Sequence, residues 1–310
     1  YEITQTANAA ADYNKVIALC EQGVELEPSG QHVGYGKELL AWAQNRRGEA
    51  MARGAEANPE QILAAFEAAV ANDPSVWKHY HNRSVSYAET GQLEKALADV
   101  NKVIQMQPNF ANAYYNRGEL YFQLGRLDDA VSNYDEAIRR SPRDSAAYNS
   151  RGFVRYRQGN TRAAQQDFNR ALQLNSENVE AYVNRANLLI DRGRFAEGAR
   201  DLQRALQLDA NFGPALVSNA WFRATCPVAQ HRNGETALQH ARQAIELDGE
   251  SPRYLDTLAA AHARAAQFEE AVAAEKKALE LDADNEAYQQ RLKLYQAEQA
   301  YTDSLAAQSE

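Results

Sequence analysis

Cysteine is nearly absent from this 310-residue chain: Cys20 and Cys226 are the only two, and they lie far apart. A disulfide framework is therefore not expected, and the redox compartment stays open. Long apolar runs are also missing, which excludes a membrane-spanning helix. The alternating pattern of strands is absent, so a sheet-based fold is excluded. No glycine-rich phosphate loop, Ser-His-Asp arrangement or carboxylate pair in a plausible pocket occurs, so no catalytic residue, cofactor or enzymatic activity is assigned. Positive charge is in deficit, with 33 Lys and Arg against 42 Asp and Glu, a net of −9. That balance argues against nucleic acid as the ligand. Cys226, His231 and His240 surround the stretch ATCPVAQHRNGE, but their spacing is loose beside a paired Cys-x-x-Cys site and no metal is expected there.

What the sequence has is a period. Gly91, Gly125, Gly159 and Gly193 are 34 residues apart, as are Tyr80, Tyr114, Tyr148 and Tyr182, and Arg83, Arg117, Arg151 and Arg185. Within each unit, large residues recur at helical spacing on two segments, as in Tyr114, Gly118 and Tyr121 and then Ala130, Tyr134, Ala137 and Ile138. This predicts two amphipathic helices per unit. Gly125 suits the positive φ that closes the first helix, and Pro142 stops the second. One such hairpin cannot bury its large residues alone, but stacked neighbours can.

The unit beginning at Ala111 carries Tyr114, Arg117-Gly118, Tyr121, Gly125, Ala130, Tyr134, Ala137 and Pro142 at set positions. In these residues the chain resembles the tetratricopeptide-repeat family. The resemblance implies an all-α fold: a right-handed α-solenoid superhelix of about seven to eight helix-turn-helix repeats with a C-terminal capping helix. The expected units are a clipped first repeat at 1–28, repeats at 37–74, 77–110, 111–144, 145–178 and 179–212, one at 213–248 with about five extra residues after Thr225, one at 252–285, and a capping helix with polar tail at 286–310. Extra residues at that position map to the solenoid's edge and are expected to be tolerated. Tyr1 stands where a start Met would, and the array opens partway through a unit. A missing leader or upstream region is expected, with the chain soluble and either cytoplasmic or exported.

Two ladders recur in phase. Arg83, Arg117, Arg151 and Arg185 replace the Leu usual at that place in the family. Sixteen residues after them come Asp99, Asn133, Asp167 and Asp201. An Arg–Asp bridge inside each hairpin is expected, because a charge entering a packed interface needs a partner and a guanidinium fork suits a carboxylate. The second ladder is Asn82, Asn116 and Asn184, with Ser150 completing it. In the family this stripe lines a concave groove, and several members grip an extended peptide's backbone from the Asn position. A side-chain amide offers both a donor and an acceptor for that purpose. Tyr115, Phe122, Phe153, Tyr156 and Trp221 are the expected apolar anchors, and Arg157 the charged edge.

The chaperone-tail clamp known in the family needs Lys and Arg where this chain has His81, Asn116 and Ala146, or Tyr115, Ser150 and Glu180, so that ligand is not expected. Residues 1–76 carry 5 basic and 11 acidic groups, 77–243 carry 22 and 17, and 244–310 carry 6 and 14. A basic middle between acidic ends favours an acidic protein segment as partner, with Arg155 and Arg157 sharpening the attraction. The function expected is therefore binding of an extended peptide or protein segment. The alternatives are an assembly scaffold using outer or end surfaces, including a homo-oligomer, and a regulatory region of a larger enzyme.

Overall fold

The computed structural model describes residues 10–26, 32–54 and 58–303. Among these are sixteen α-helices and no strand. The chain divides into two compact units, 1–143 and 144–310. Unit 1 contains α1 (Ala10–Leu26), α2 (Val33–Ala52), α3 (Pro59–Asn72), α4 (Trp77–Glu89), α5 (Leu93–Met106), α6 (Ala111–Gln123) and α7 (Leu127–Arg140). Unit 2 contains α8 (Ser145–Arg157), α9 (Thr161–Leu174), α10 (Val179–Asp191), α11 (Phe195–Leu208), α12 (Gly213–Thr225), α13 (Gly234–Asp248), α14 (Pro252–Arg264), α15 (Phe268–Leu281) and α16 (Glu286–Gln296). Within each unit every helix packs on the next. First helices also touch first helices, as α10 does α8 and α12, and α12 does α14. The ends of the sequence-based units at 1–9, 27–31 and 304–310 lie outside the described residues. Among the described residues no helix is long and apolar enough to cross a membrane.

The turns show why the glycines keep step. Gly91, Gly125, Gly159 and Gly193 have φ between 72° and 79°. The residue after each donates back across the turn, as Arg126 N–H does to the Tyr121 carbonyl at 2.8 Å, closing the first helix. Inside the hairpins, small residues face large ones. A Cβ on Gly118 would lie 2.7 Å from the Tyr134 ring, and one on Gly152 would lie 2.8 Å from that of Phe168. Both rings are buried, so they have nowhere to retreat. Where the second helix offers the smaller Leu202, the first can carry Ala186 against it.

The arginine ladder lies in these same interfaces. Arg83, Arg151 and Arg185 each give two hydrogen bonds of 2.6–3.0 Å to Asp99, Asp167 and Asp201. Arg117 donates to Asn133 at 2.6 Å and to Asn101 at 2.8 Å. Each guanidinium also lies 5.3–5.7 Å from the ring of the Tyr one turn earlier. Arg155 was expected to attract an acidic partner, but its Nη1 donates to Asp167 at 2.8 Å. Its charge is thus held inside the hairpin.

The insertion between α12 and α13 is also more than a surface loop. Val228 packs against the cluster of Cys226, Phe222, Leu202 and Ala186, and the His231 ring lies 5.5 Å from Phe222. Shortening it would uncover that cluster, which corrects the expectation of tolerance. Counting the five extra residues puts Asn219 and His240 at the Arg and Asp positions of the ladder, and they pair there at 3.2 Å. Cys226 and His231 thus both pack beside Phe222, whereas His240 pairs with Asn219.

Candidate functional site

In unit 2 the last turns of α8, α10 and α12, together with α14 and α16, surround a cavity of about 410 Å³. Phe153, Tyr156 and Arg157 come from α8, Asn187, Ile190 and Asp191 from α10, and Ser218, Trp221 and Phe222 from α12. Arg253, Asp256 and Thr257 on α14, Arg291 on α16 and Asp303 beyond it complete the lining. Helical pitch explains the assembly. Phe153, Asn187 and Trp221 occupy one repeat position, three residues after the Asn ladder, and successive first helices stack them in a row.

The polar lining is internally ordered. Tyr156 Oη donates to Asp191 Oδ2. Burial pushes the carboxyl of Asp191 above the usual range, and the charge of Asp303 adds to this. Arg291 is almost fully buried and donates to both carboxylate oxygens of Asp256, at 2.6 and 3.1 Å. Its guanidinium lies 5.2 Å from the Trp221 ring and 5.3 Å from those of Tyr288 and Tyr301. Glu275 on α15 is fully buried 3.8 Å from Arg291. Burial first, and Asp256 second, push its carboxyl up to about 9, so it is protonated at neutral pH.

Four of the sequence-based candidates thus meet in one place: Phe153, Tyr156, Arg157 and Trp221. The others lie elsewhere. Asn184 on α10 donates to Asn149 at 3.0 Å. In unit 1, Asn82 donates to Asn45 and to Glu49, both at 3.0 Å. These amides hold adjacent first helices together, a task that periodicity alone does not reveal. Asn116 lines a second cavity of about 220 Å³ in unit 1, with Ser84, Val85 and Glu119 among its neighbours. Tyr115 packs on Tyr134 with ring centroids 5.7 Å apart, and Phe122 is half-buried.

Sequence reasoning missed Ser218, Arg253, Asp256, Thr257, Arg291 and Asp303. Two of these positions were within reach, since Ser218 continues the Asn ladder at the plain 34-residue spacing and Thr257 does so once the five inserted residues are counted. Among the described residues no group of three or more His, Cys, Asp or Glu is placed to hold a metal ion.

Comparison with known proteins agrees with this architecture. Family models described as "TPR repeat" and "Tetratricopeptide repeat" match residues 86–125 and 118–159, and residues 150–211. No curated protein matches the chain in sequence. A tetratricopeptide repeat protein from Parabacteroides merdae is similar in structure with a TM-score of 0.62 at 18% identity, covering 83% of this chain and 98% of that one. Yeast Tom70 gives 0.58 at 19% identity over 93% of this chain and 59% of its own. PilF of Pseudomonas aeruginosa gives 0.58 at 19% over 71% and 96%. Residues 86–211 thus match tetratricopeptide repeats, and the same helical hairpins continue on both sides of them.

Proposed function

We propose that this protein-interaction repeat module holds an extended protein segment along the first helices of unit 2. The observation that carries the proposal is the single cavity uniting Phe153, Tyr156, Trp221 and Arg157. It provides three half-buried aromatic surfaces with a guanidinium at the rim, the residue types that dominate binding energy at protein interfaces. An acidic segment suits it, because Arg157, Arg253 and Arg291 outnumber Asp191 and Asp256 contributed by the same helices. In unit 1 the proposed contact positions are Asn82, Asn116, Tyr115 and Phe122, and Asn184 is the corresponding amide in unit 2.

Peptides selected from a random library on the full-length chain test this. Trp221→Ala and Arg157→Glu should each weaken the selected peptides by about tenfold or more, equivalent to roughly 1.4 kcal/mol. The control Leu281→Ala, at an exposed site on α15, should leave them unchanged. Equal affinity in all four proteins would reject the site.

A further inference from the structure

Past α16 the chain turns back toward the groove. α16 closes with the same left-handed turn that ends the first helix of a repeat: Glu298 has a φ of 54°, and Gln299 N–H donates to the Leu294 carbonyl at 2.9 Å. Elsewhere a second helix follows such a turn, but residues 300–303 form none. They run instead across the ends of α12 and α14, held through their main chain. Asp303 N–H donates to the Thr225 carbonyl at 2.9 Å, and Arg264 Nη2 donates to the Tyr301 carbonyl at 2.7 Å. Arg264 is itself fixed by its Nε, which donates to the Ala224 carbonyl at 2.5 Å. The Asp303 carboxylate accepts from Trp221 Nε1 at 3.2 Å and lies 2.6 Å from the Thr225 hydroxyl. The Tyr301 ring lies 5.9 Å from that of Trp221.

We propose that Tyr301–Asp303 is an internal stand-in for the partner: Trp221, Thr225, Arg264 and Arg291 form a subsite for an extended segment with an aromatic residue two positions before an acidic one, and another protein's segment of this kind displaces the chain's own. This rests on the reading of unit 2 as a peptide-binding face. The two main-chain bonds do not read sequence, so any extended chain can make them. The carboxylate is what the site selects, since Asp303 supplies the negative charge that balances three cavity arginines against two aspartates. A simple end cap would have no use for it, because its charge acts unfavourably on Asp191 and Asp256. The donors of Trp221 and Thr225 offset that repulsion. Tethering gives the internal segment an effective concentration on the order of millimolar, so a partner binds the intact chain more weakly than the open site.

The test uses a fluorescent peptide with the sequence of residues 297–310, titrated into the full chain, a chain ending at Gln299 and full-length Asp303→Ala. The shortened chain should bind it about tenfold or more tightly than the full chain, with Asp303→Ala also tighter than wild type. A peptide carrying alanine in place of its aspartate should lose about tenfold in affinity for the shortened chain. A shortened chain that keeps its helical circular dichroism yet ignores the peptide would overturn the proposal. If the shortened chain does not fold, an Asp303→Ala protein with unchanged peptide affinity rejects it as well. A full chain that dimerises in light scattering, and ceases to in Asp303→Ala, would put the segment in a second copy and reject the internal stand-in. Should library-selected peptides bind through Trp221 while the tail peptide does not, the groove stands and the stand-in falls; if neither binds, both fall.

Discussion

Asp167 receives three hydrogen bonds from two guanidiniums, those of Arg151 and Arg155, while its side chain is only 5% exposed. Removing it takes a shared carboxylate away from both guanidiniums in a hairpin interface. Asp167→Ala should therefore cost about 2–3 kcal/mol, somewhat below the range for fully buried pairs because the guanidiniums keep some water contact. Urea unfolding checks this, and a loss under about 0.5 kcal/mol would contradict it. The spacing that links Arg151 to Asp167 was legible because acid and base recur in phase. The role of Arg155 was not, since it replaces a family Tyr once and its reach depends on a side-chain conformation that no period encodes.

Glu275 makes a second residue-scale prediction. Its folded carboxyl is held at about 9 against an ordinary 4.5. Between those values the unfolded chain has released a proton that the folded chain keeps, so this group's contribution to stability falls as pH rises. Glu275→Gln mimics the protonated form and has nothing to ionise. Its melting temperature relative to wild type should climb steadily in melts at pH 5, 7 and 9, whereas parallel pH profiles would contradict the assignment.

At the scale of helices and turns, size and handedness decide what the repeats tolerate. Ala266 closes α14 with a φ of 60°, where four other repeats place glycine. A left-handed alanine costs roughly 1–2 kcal/mol, partly offset by the unfolded-state freedom that glycine adds. Ala266→Gly should thus stabilise the chain by about 0.5–1 kcal/mol, seen as a higher melting temperature, and a lower one would show that the turn is not strained. Helix identity and turn position were readable because hydrophobic spacing and glycine phase agree. Two features escaped: the loop from Pro227 to Asn233, whose Val228 supplies core between α12 and the preceding hairpin, and the return of residues 300–303. Neither repeats, so neither carries a periodic signal.

For the molecule as a whole, repetition provides a stack of hairpins in each unit, and the cavity of unit 2 combines repeated first-helix positions with the non-repeating Asp303. Phe153, Tyr156, Arg157 and Trp221 were legible as a group because first-helix positions stack at the repeat period. Arg264 shares the position of Arg157, Asp191 and Thr225 once the five inserted residues are counted, yet its partner lies 37 residues further on, in a segment without a pattern. The chain as a whole carries a net charge of −9, while Arg157, Arg253 and Arg291 gather around one cavity. The most direct test of this account is amide hydrogen exchange on the full-length chain with and without a library-selected peptide. Protection should concentrate in the first helices α8, α10, α12 and α14, leaving α9, α11 and α13 unchanged. Protection confined to those second helices, or to unit 1, would contradict it.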